Sequence, residues 1–246
     1  MPKVTIGVSL KLYLGHAETL RWCAAVAELA RRHPAVTEER VEVFVIPSFL
    51  SIEGAIRIFE GTHIGVGAQD LWTEDSGAFT GEVSGSALAE LGVGYAEVGH
   101  AERRRLFGET EELVAAKTAA ALRNGLVPVL CVGETERSSP AAAAAWSLGQ
   151  VVSAGSTEPM VVAWEPGWAI GADRPADSGY IREVCDRIRA GMSHANRLIY
   201  GGSAGPGLLT ELGSAVDGLF LGRFAHDPKA LESVLDEAML FEAAGG

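Results

Sequence analysis

Met160-Val161-Val162-Ala163-Trp164-Glu165-Pro166-Gly167 begins as five apolar residues, turns abruptly to a carboxylate and stops at a proline and a glycine. An apolar run of this length with no polar alternation suits a strand covered on both faces, as in a parallel sheet. Seven further runs of the same kind occur along the chain, at residues 4–8, 41–46, 63–67, 95–99, 127–132, 197–200 and 218–221. Apolar residues at helical spacing fill the intervals at 17–32, 109–123, 141–152, 178–192 and 228–241. Asn124-Gly125 supplies a helix stop, and Asp227-Pro228 reads as an N-cap followed by a first-turn proline. Eight strands alternating with helices over 246 residues predict an α/β chain closed into a (β/α)8 barrel, one domain spanning 1–246. The competing architecture is an open doubly wound sheet. It would be expected to carry a G-x-G-x-x-G turn after its first strand, and the sequence has none there.

Composition narrows the function classes. The chain is 48% hydrophobic and 21% charged, with a formal net charge of −12. A broad nucleic-acid footprint needs the opposite sign, so no nucleic-acid partner is expected. An anionic ligand would have to be held by local cations and backbone amides. Cys23, Cys131 and Cys185 cannot pair completely and show no metal spacing, which points to a reducing, cytoplasmic setting. No apolar run approaches the ~18 residues of a membrane span. Met1-Pro2-Lys3 leads straight into a strand-like segment, so no signal peptide is expected.

In a barrel of this kind chemistry gathers at the carboxyl ends of the strands. The first run ends in Ser9-Leu10-Lys11, and Lys11 is one of only four lysines against sixteen arginines. A compact ammonium at a strand end suits a phosphate or a carbonyl oxygen, although a solvated surface lysine has the same local signature. The fourth run ends in Gly99-His100-Ala101-Glu102-Arg103-Arg104. A helix starting after His100 disfavours imidazolium, leaving a neutral ring able to donate to a carbonyl; a core histidine satisfied by hydrogen bonds is the plainer alternative. Glu102, Arg103 and Arg104 read first as structural ion pairs. Glu165 ends an apolar run, where a carboxylate is expected to have a raised pKa and to accept a proton from carbon. The following Pro166-Gly167-Trp168-Ala169-Ile170-Gly171 is apolar yet belongs on the rim, as suits a lid or a loop fixed under a partner. Gly201-Gly202-Ser203 and Gly222-Arg223 close the seventh and eighth runs as glycine turns, the place where barrels often bind phosphate.

These stretches together resemble triosephosphate isomerase. Gly77-Ala78-Phe79-Thr80-Gly81-Glu82-Val83-Ser84 is similar to the third-loop motif of that family. The segments around His100 and Glu165, Tyr200-Gly201-Gly202-Ser203 and Val216-Asp217-Gly218 continue the pattern over essentially the whole chain. The resemblance implies an isomerase that needs neither cofactor nor metal. Glu165 would move the proton, His100 would polarise the carbonyl and Lys11 would stabilise the enediolate, with the carboxylate of Glu102 beside them. Ser9 and the backbone at Gly171, Ser203, Gly222 and Arg223 would hold a sugar phosphate. It also implies a homodimer formed through the loop 71–82, and a place in glycolysis and gluconeogenesis.

The departures bear on the substrate. The family has Asn where Ser9 stands, Trp at Leu10, Ser at Ala101, Val at Gly167, Thr-Gly-Lys at Ala172-Asp173-Arg174, and paired glycines at Gly222-Arg223. Lys11, His100 and Glu165 are all kept, so the first reading is interconversion of glyceraldehyde 3-phosphate and dihydroxyacetone phosphate. The alternative is a four-carbon ketose phosphate: Ser9 and Ala101 are smaller than the usual residues, and lost side-chain atoms leave room for an added hydroxymethyl group. In that case L-erythrulose 1-phosphate would become D-erythrulose 4-phosphate. A catalytically retired phosphate-binding barrel would be expected to lose the proton-transfer residues. A Schiff-base aldolase would need a lysine at a later strand end, and a metal enzyme clustered histidines or carboxylates; neither feature is present in the sequence.

Overall fold

The eight apolar runs are the eight strands of a closed, all-parallel barrel. A computed structural model of the chain describes residues 4–244; the first three residues, on which the expected absence of a signal peptide rests, lie outside the described residues. The strands are β1 Val4–Ser9, β2 Val41–Ile46, β3 Ile64–Ala68, β4 Tyr95–Val98, β5 Val127–Val132, β6 Val161–Trp164, β7 Arg197–Ala204 and β8 Gly218–Leu221. Each pairs with its neighbours in sequence order, and β8 closes onto β1 through Thr5 opposite Gly218 to Val8 opposite Leu221. The helices are α1 His16–Arg32, α2 Pro34–Thr37, α3 Ile52–Phe59, α4 Gly85–Leu91, α5 Ala101–Phe107, α6 Glu111–Arg123, α7 Pro140–Ser153, α8 Ser178–Gly191, α9 Leu208–Leu212 and α10 Pro228–Ala244. Among the described residues no helix is long and apolar enough to cross a membrane.

Local chemistry sets the boundaries. Thr110 caps α6 through Leu113 N, Ser139 caps α7 through Ala142 N with Pro140 in the first turn, and Asp227 accepts from Lys229 N at the start of α10. The helix expected after His100 is α5, whereas α2, α3, α4 and α9 were not expected from the sequence. These four are eight residues or shorter, so about two turns at most give the pattern little to repeat. A second difference concerns Gly201-Gly202-Ser203. Read from sequence as a turn closing the seventh strand, they are instead part of β7, which continues to Ala204 with a register shift against β8 between Tyr200 and Ala204. A bulge lengthens the strand and re-aims its last side chains toward the rim.

The core has two compartments. One lies between strands and helices, and the other fills the barrel itself with Phe44, Ile46, Val129, Cys131, Ile199 and Phe220 among others. Phe44 stacks on Tyr95 at 4.4 Å between ring centroids. Because side chains alternate along a strand, the inward set is 5-7-9 on β1, 95-97 on β4, 127-129-131 on β5 and 161-163-165 through the end of β6. The amino-terminal end of the barrel is closed by a polar cluster in which Arg197 meets Glu42 at 3.1 Å and Thr5 at 2.6 Å, while Tyr95 donates to Glu42 at 2.6 Å. The same parity carries Ser9, Glu97 and Glu165 to the opposite, carboxyl-terminal end.

Candidate active site

Lys11, His100 and Glu165 share one cavity at the carboxyl ends of the strands. Ser9, Ile170, Gly171, Gly201, Ser203, Gly222 and Arg223 line it too, so every expected phosphate-loop residue reaches the same space. Glu102 does not line this cavity; it stands behind Lys11 and His100 and faces an adjoining groove.

His100 is the N-cap of α5. Its Nδ1 accepts from the backbone N of Glu102 at 3.1 Å, and its Nε2 stands 3.2 Å from Glu165 Oε2. A nitrogen that accepts from an amide carries no proton, so this geometry leaves the proton of a neutral ring on Nε2, facing the cavity. Burial works against the imidazolium, and Glu165 and then Glu97 outweigh it, so the surrounding charges push the His100 pKa upward. The Glu102 amide opposes them: protonating Nδ1 would set two N–H groups against each other, and the geometry therefore favours the neutral ring.

Lys11 lies just past β1 with φ of 48°, and its Nζ donates to Glu102 Oε1 at 2.8 Å. Ser203 is likewise left-handed, with φ of 54°. Non-glycine residues held in this region cost of order 1–3 kcal/mol each and tend to occur where function fixes the backbone. Burial lowers the Lys11 pKa, but Glu165, Glu102 and Glu97 more than reverse that, and the ammonium is favoured.

Glu165 is buried, its backbone N donating to Val132 O at 2.8 Å as β6 runs out. Its Oε2 makes no aligned hydrogen bond, so one acceptor of the carboxylate is uncommitted. A side-chain carbon at Gly201 would run into the Glu165 carboxylate, which explains the glycine without any appeal to backbone freedom. Behind Glu165 a small cavity is lined by Ala101, Arg104, Cys131 and Gly133, and Ala101 does not line the main cavity.

The lid stretch 166–171 forms a 3-10 turn at Gly167–Ala169. Trp168 Nε1 donates to Glu134 Oε1 at 2.9 Å, and Gly167 N to Glu134 O at 2.8 Å. Arg137 sits over the Trp168 ring at 5.2 Å. On the other side the Ser203 hydroxyl lies 2.9 Å from both Ala169 O and Ala172 O, and Arg223 Nη2 donates to Gly171 O at 2.9 Å and Ala172 O at 3.2 Å. The side chains of Ser203 and Arg223 thus bind the lid.

Arg103 and Arg104 are structural, as read. Arg103 meets Asp70 at 2.8 Å and Glu109 at 2.6 Å, beside a buried Lys117 that pairs with both carboxylates, and Arg104 meets Glu111 at 2.7 Å. Two residues of the region escaped the sequence reading. Glu134 is the acceptor for the lid tryptophan. Glu97 is a carboxyl buried inside the barrel; its Oε2 accepts from Ser9 Oγ at 2.8 Å, and its Oε1 lies 4.0 Å from His100 Nε2. A charge in the middle of the run Tyr95-Ala96-Glu97-Val98 was the available signal for the second.

A carboxylate, an imidazole and an ammonium converging beside glycine-rich loops on a closed barrel define an isomerase of the proton-transfer type. The family model for triosephosphate isomerase matches residues 4–238, and the chain belongs to that family. It is 51% identical to the L-erythrulose-1-phosphate isomerase of Pectobacterium atrosepticum over 96% of both chains. It is 37% identical to the L-erythrulose-1-phosphate isomerase of Rhizobium etli over 95% of this chain and 90% of that one. To the triosephosphate isomerase of Mycobacteroides abscessus the identity is 39%, over 92% of each.

Proposed function

We propose that the protein isomerises L-erythrulose 1-phosphate to D-erythrulose 4-phosphate. The observation that carries this choice of substrate over a triose phosphate is the 51% identity, across 96% of both chains, to a protein of that name, against 39% to the triosephosphate isomerase above. The small residue Ser9 in the cavity lining agrees with a longer substrate. Glu165 takes the proton from C3, and the electron pair of that bond becomes the C2–C3 double bond. The carbonyl π pair moves onto O2, where Nε2–H of His100 and the Lys11 ammonium receive the growing negative charge. His100 then relays the hydroxyl proton from O3 to O2. Glu165 returns its proton to C2 as the carbonyl re-forms at C3. No atom is gained or lost. The phosphate is held by backbone amides at Gly171, Ser203, Gly222 and Arg223, beside Lys11. The experiment compares kcat/KM for L-erythrulose 1-phosphate and dihydroxyacetone phosphate: a large excess for the four-carbon ketose is expected, and an excess for the triose ends this reading.

The protein is proposed to act as a homodimer. An open groove beside the cavity is lined by Leu12, Tyr13, Phe49, Leu106 and Phe107, all at least 40% exposed. The loop 71–82 carries Phe79, also 40% exposed, as a counterpart for a second copy. An apolar surface of this kind beside a polar site suits a subunit interface. Light scattering in solution tests it, with a mass near twice 25.8 kDa expected and a monomer overturning it.

A further inference from the structure

Glu97 is costly where it stands. Its carboxyl lies inside the barrel at 3% exposure, with one hydrogen bond of ordinary length, from Ser9 Oγ to Oε2 at 2.8 Å. Oε1 has only the Cys131 thiol at 4.0 Å and His100 Nε2, also at 4.0 Å, which lies nearer to Glu165. Burying a carboxyl with so little compensation destabilises a fold by kcal/mol, and an apolar side chain of similar size would be the more stable choice. Elsewhere the top of the barrel interior is apolar, with Ile46, Cys131, Ala163 and Phe220 around it.

The position of Glu97 is directional. Ser9, Lys11, Tyr13 and His100 line both the main cavity and the neighbouring groove; the phosphate loops border the cavity only, and Glu97 borders the groove only. A substrate with its phosphate at Gly171, Ser203 and Gly222 and its reacting carbons beside Glu165 and His100 therefore points its remaining end past Ser9 toward Glu97. We propose that Glu97, held by Ser9, is the specificity-determining residue that hydrogen-bonds the hydroxyl at the non-phosphorylated end of the substrate. This rests on the four-carbon reading above and names the group that enforces it. A triose phosphate ends one carbon earlier and leaves the carboxyl unanswered. Sites built to hydrogen-bond a substrate hydroxyl reject the analogue lacking it by up to about 10^4–10^5, because the buried partner is left unpaired. Burial, with Glu165 nearby, raises the Glu97 pKa to about 7 against the opposing pull of His100, Ser9 and Lys11. Near neutrality the group either accepts from the hydroxyl or donates to it.

The test uses the full chain as wild type, Glu97→Val and Glu97→Gln, and reads the ratio of kcat/KM for L-erythrulose 1-phosphate to that for dihydroxyacetone phosphate. Glu97→Val is expected to lower the ratio about 100-fold, and Glu97→Gln, which still hydrogen-bonds, less than tenfold. Ser9→Ala, at the other end of the same bond, serves if Glu97→Val does not fold and is expected to lower the ratio at least tenfold. A ratio that falls less than tenfold in a folded Glu97→Val protein, or falls equally in Glu97→Gln, overturns the assignment of Glu97. A wild type that prefers the triose overturns the substrate reading itself, a separate result visible before any variant is made.

Discussion

Nε2 of His100 stands 3.2 Å from Oε2 of Glu165, although 65 positions of sequence (165 − 100) separate the two residues. The carboxyl end of β4 and the carboxyl end of β6 bring them together, with β5 between. A carbon acid seated beside this pair meets a base and a hydrogen-bond donor at once, with their separation fixed by the barrel rather than by flexible loops.

Glu165→Gln keeps the shape of the side chain and removes the base. Turnover is expected to fall at least ~10²–10⁴-fold, while KM stays within a few-fold. Steady-state kinetics on L-erythrulose 1-phosphate checks this, and nearly unchanged turnover would remove Glu165 from its role.

The amide of Glu102 on Nδ1 of His100 predicts a neutral ring protonated on Nε2 at pH 7–8. Nitrogen NMR of the labelled histidines reads it directly: an unprotonated Nδ1 signal for His100 is expected. A doubly protonated ring in the resting protein contradicts the geometry, whatever the surrounding carboxylates favour.

Gly201→Ala places a methyl group against the Glu165 carboxylate. Displacing a base by about 1 Å costs about 100-fold in rate. The expected outcome is that loss in kcat with a small change in melting temperature, since only one side chain on the rim must shift.

Arg223→Ala removes two hydrogen bonds to the lid, at Gly171 O and Ala172 O. Exposed bonds contribute little, about 1 kcal/mol or less together. The lid residues 166–171 and the adjoining Ala172 are expected to exchange their amide hydrogens faster and KM to rise a few-fold, with kcat changing less. Unaltered exchange would show that the Ser203 and Glu134 contacts hold the lid alone.

Glu97 links stability to pH. Its folded pKa of about 7 lies above the unfolded value of 4.5, so the folded state binds the extra proton between those limits. Stability is therefore greatest below pH 4.5 as far as this group is concerned, and falls as pH rises toward 7. A shift of this size corresponds to about 3 kcal/mol. Glu97→Gln should flatten that part of the curve, seen as a melting temperature of the variant relative to wild type that climbs between pH 4.5 and 7. A constant difference across that window would contradict a raised Glu97 pKa.

Much of the fold was written locally. Each β strand declared itself by a short apolar run, and Asn124, Asp227 and Pro228 marked helix ends through chemistry that needs no distant partner. The short helices α2, α3, α4 and α9 did not, because one or two turns leave no repeat to detect. Gly201-Gly202-Ser203 misled for a related reason: glycines mark both a turn and a bulged strand, and only pairing with β8 distinguishes them.

The sequence by itself determined the eight strands, their closure as the expected architecture, and Lys11, His100 and Glu165 as strand-end candidates, because strand period and terminal residues are short-range properties. Tertiary structure alone decided that Ser9 and Glu97, 88 residues apart, share a hydrogen bond inside the barrel, and that Arg223 reaches Gly171 across 52 residues. Which side chains meet depends on the register at which the sheet closes and on the inward or outward parity that closure imposes, and no local stretch carries that information.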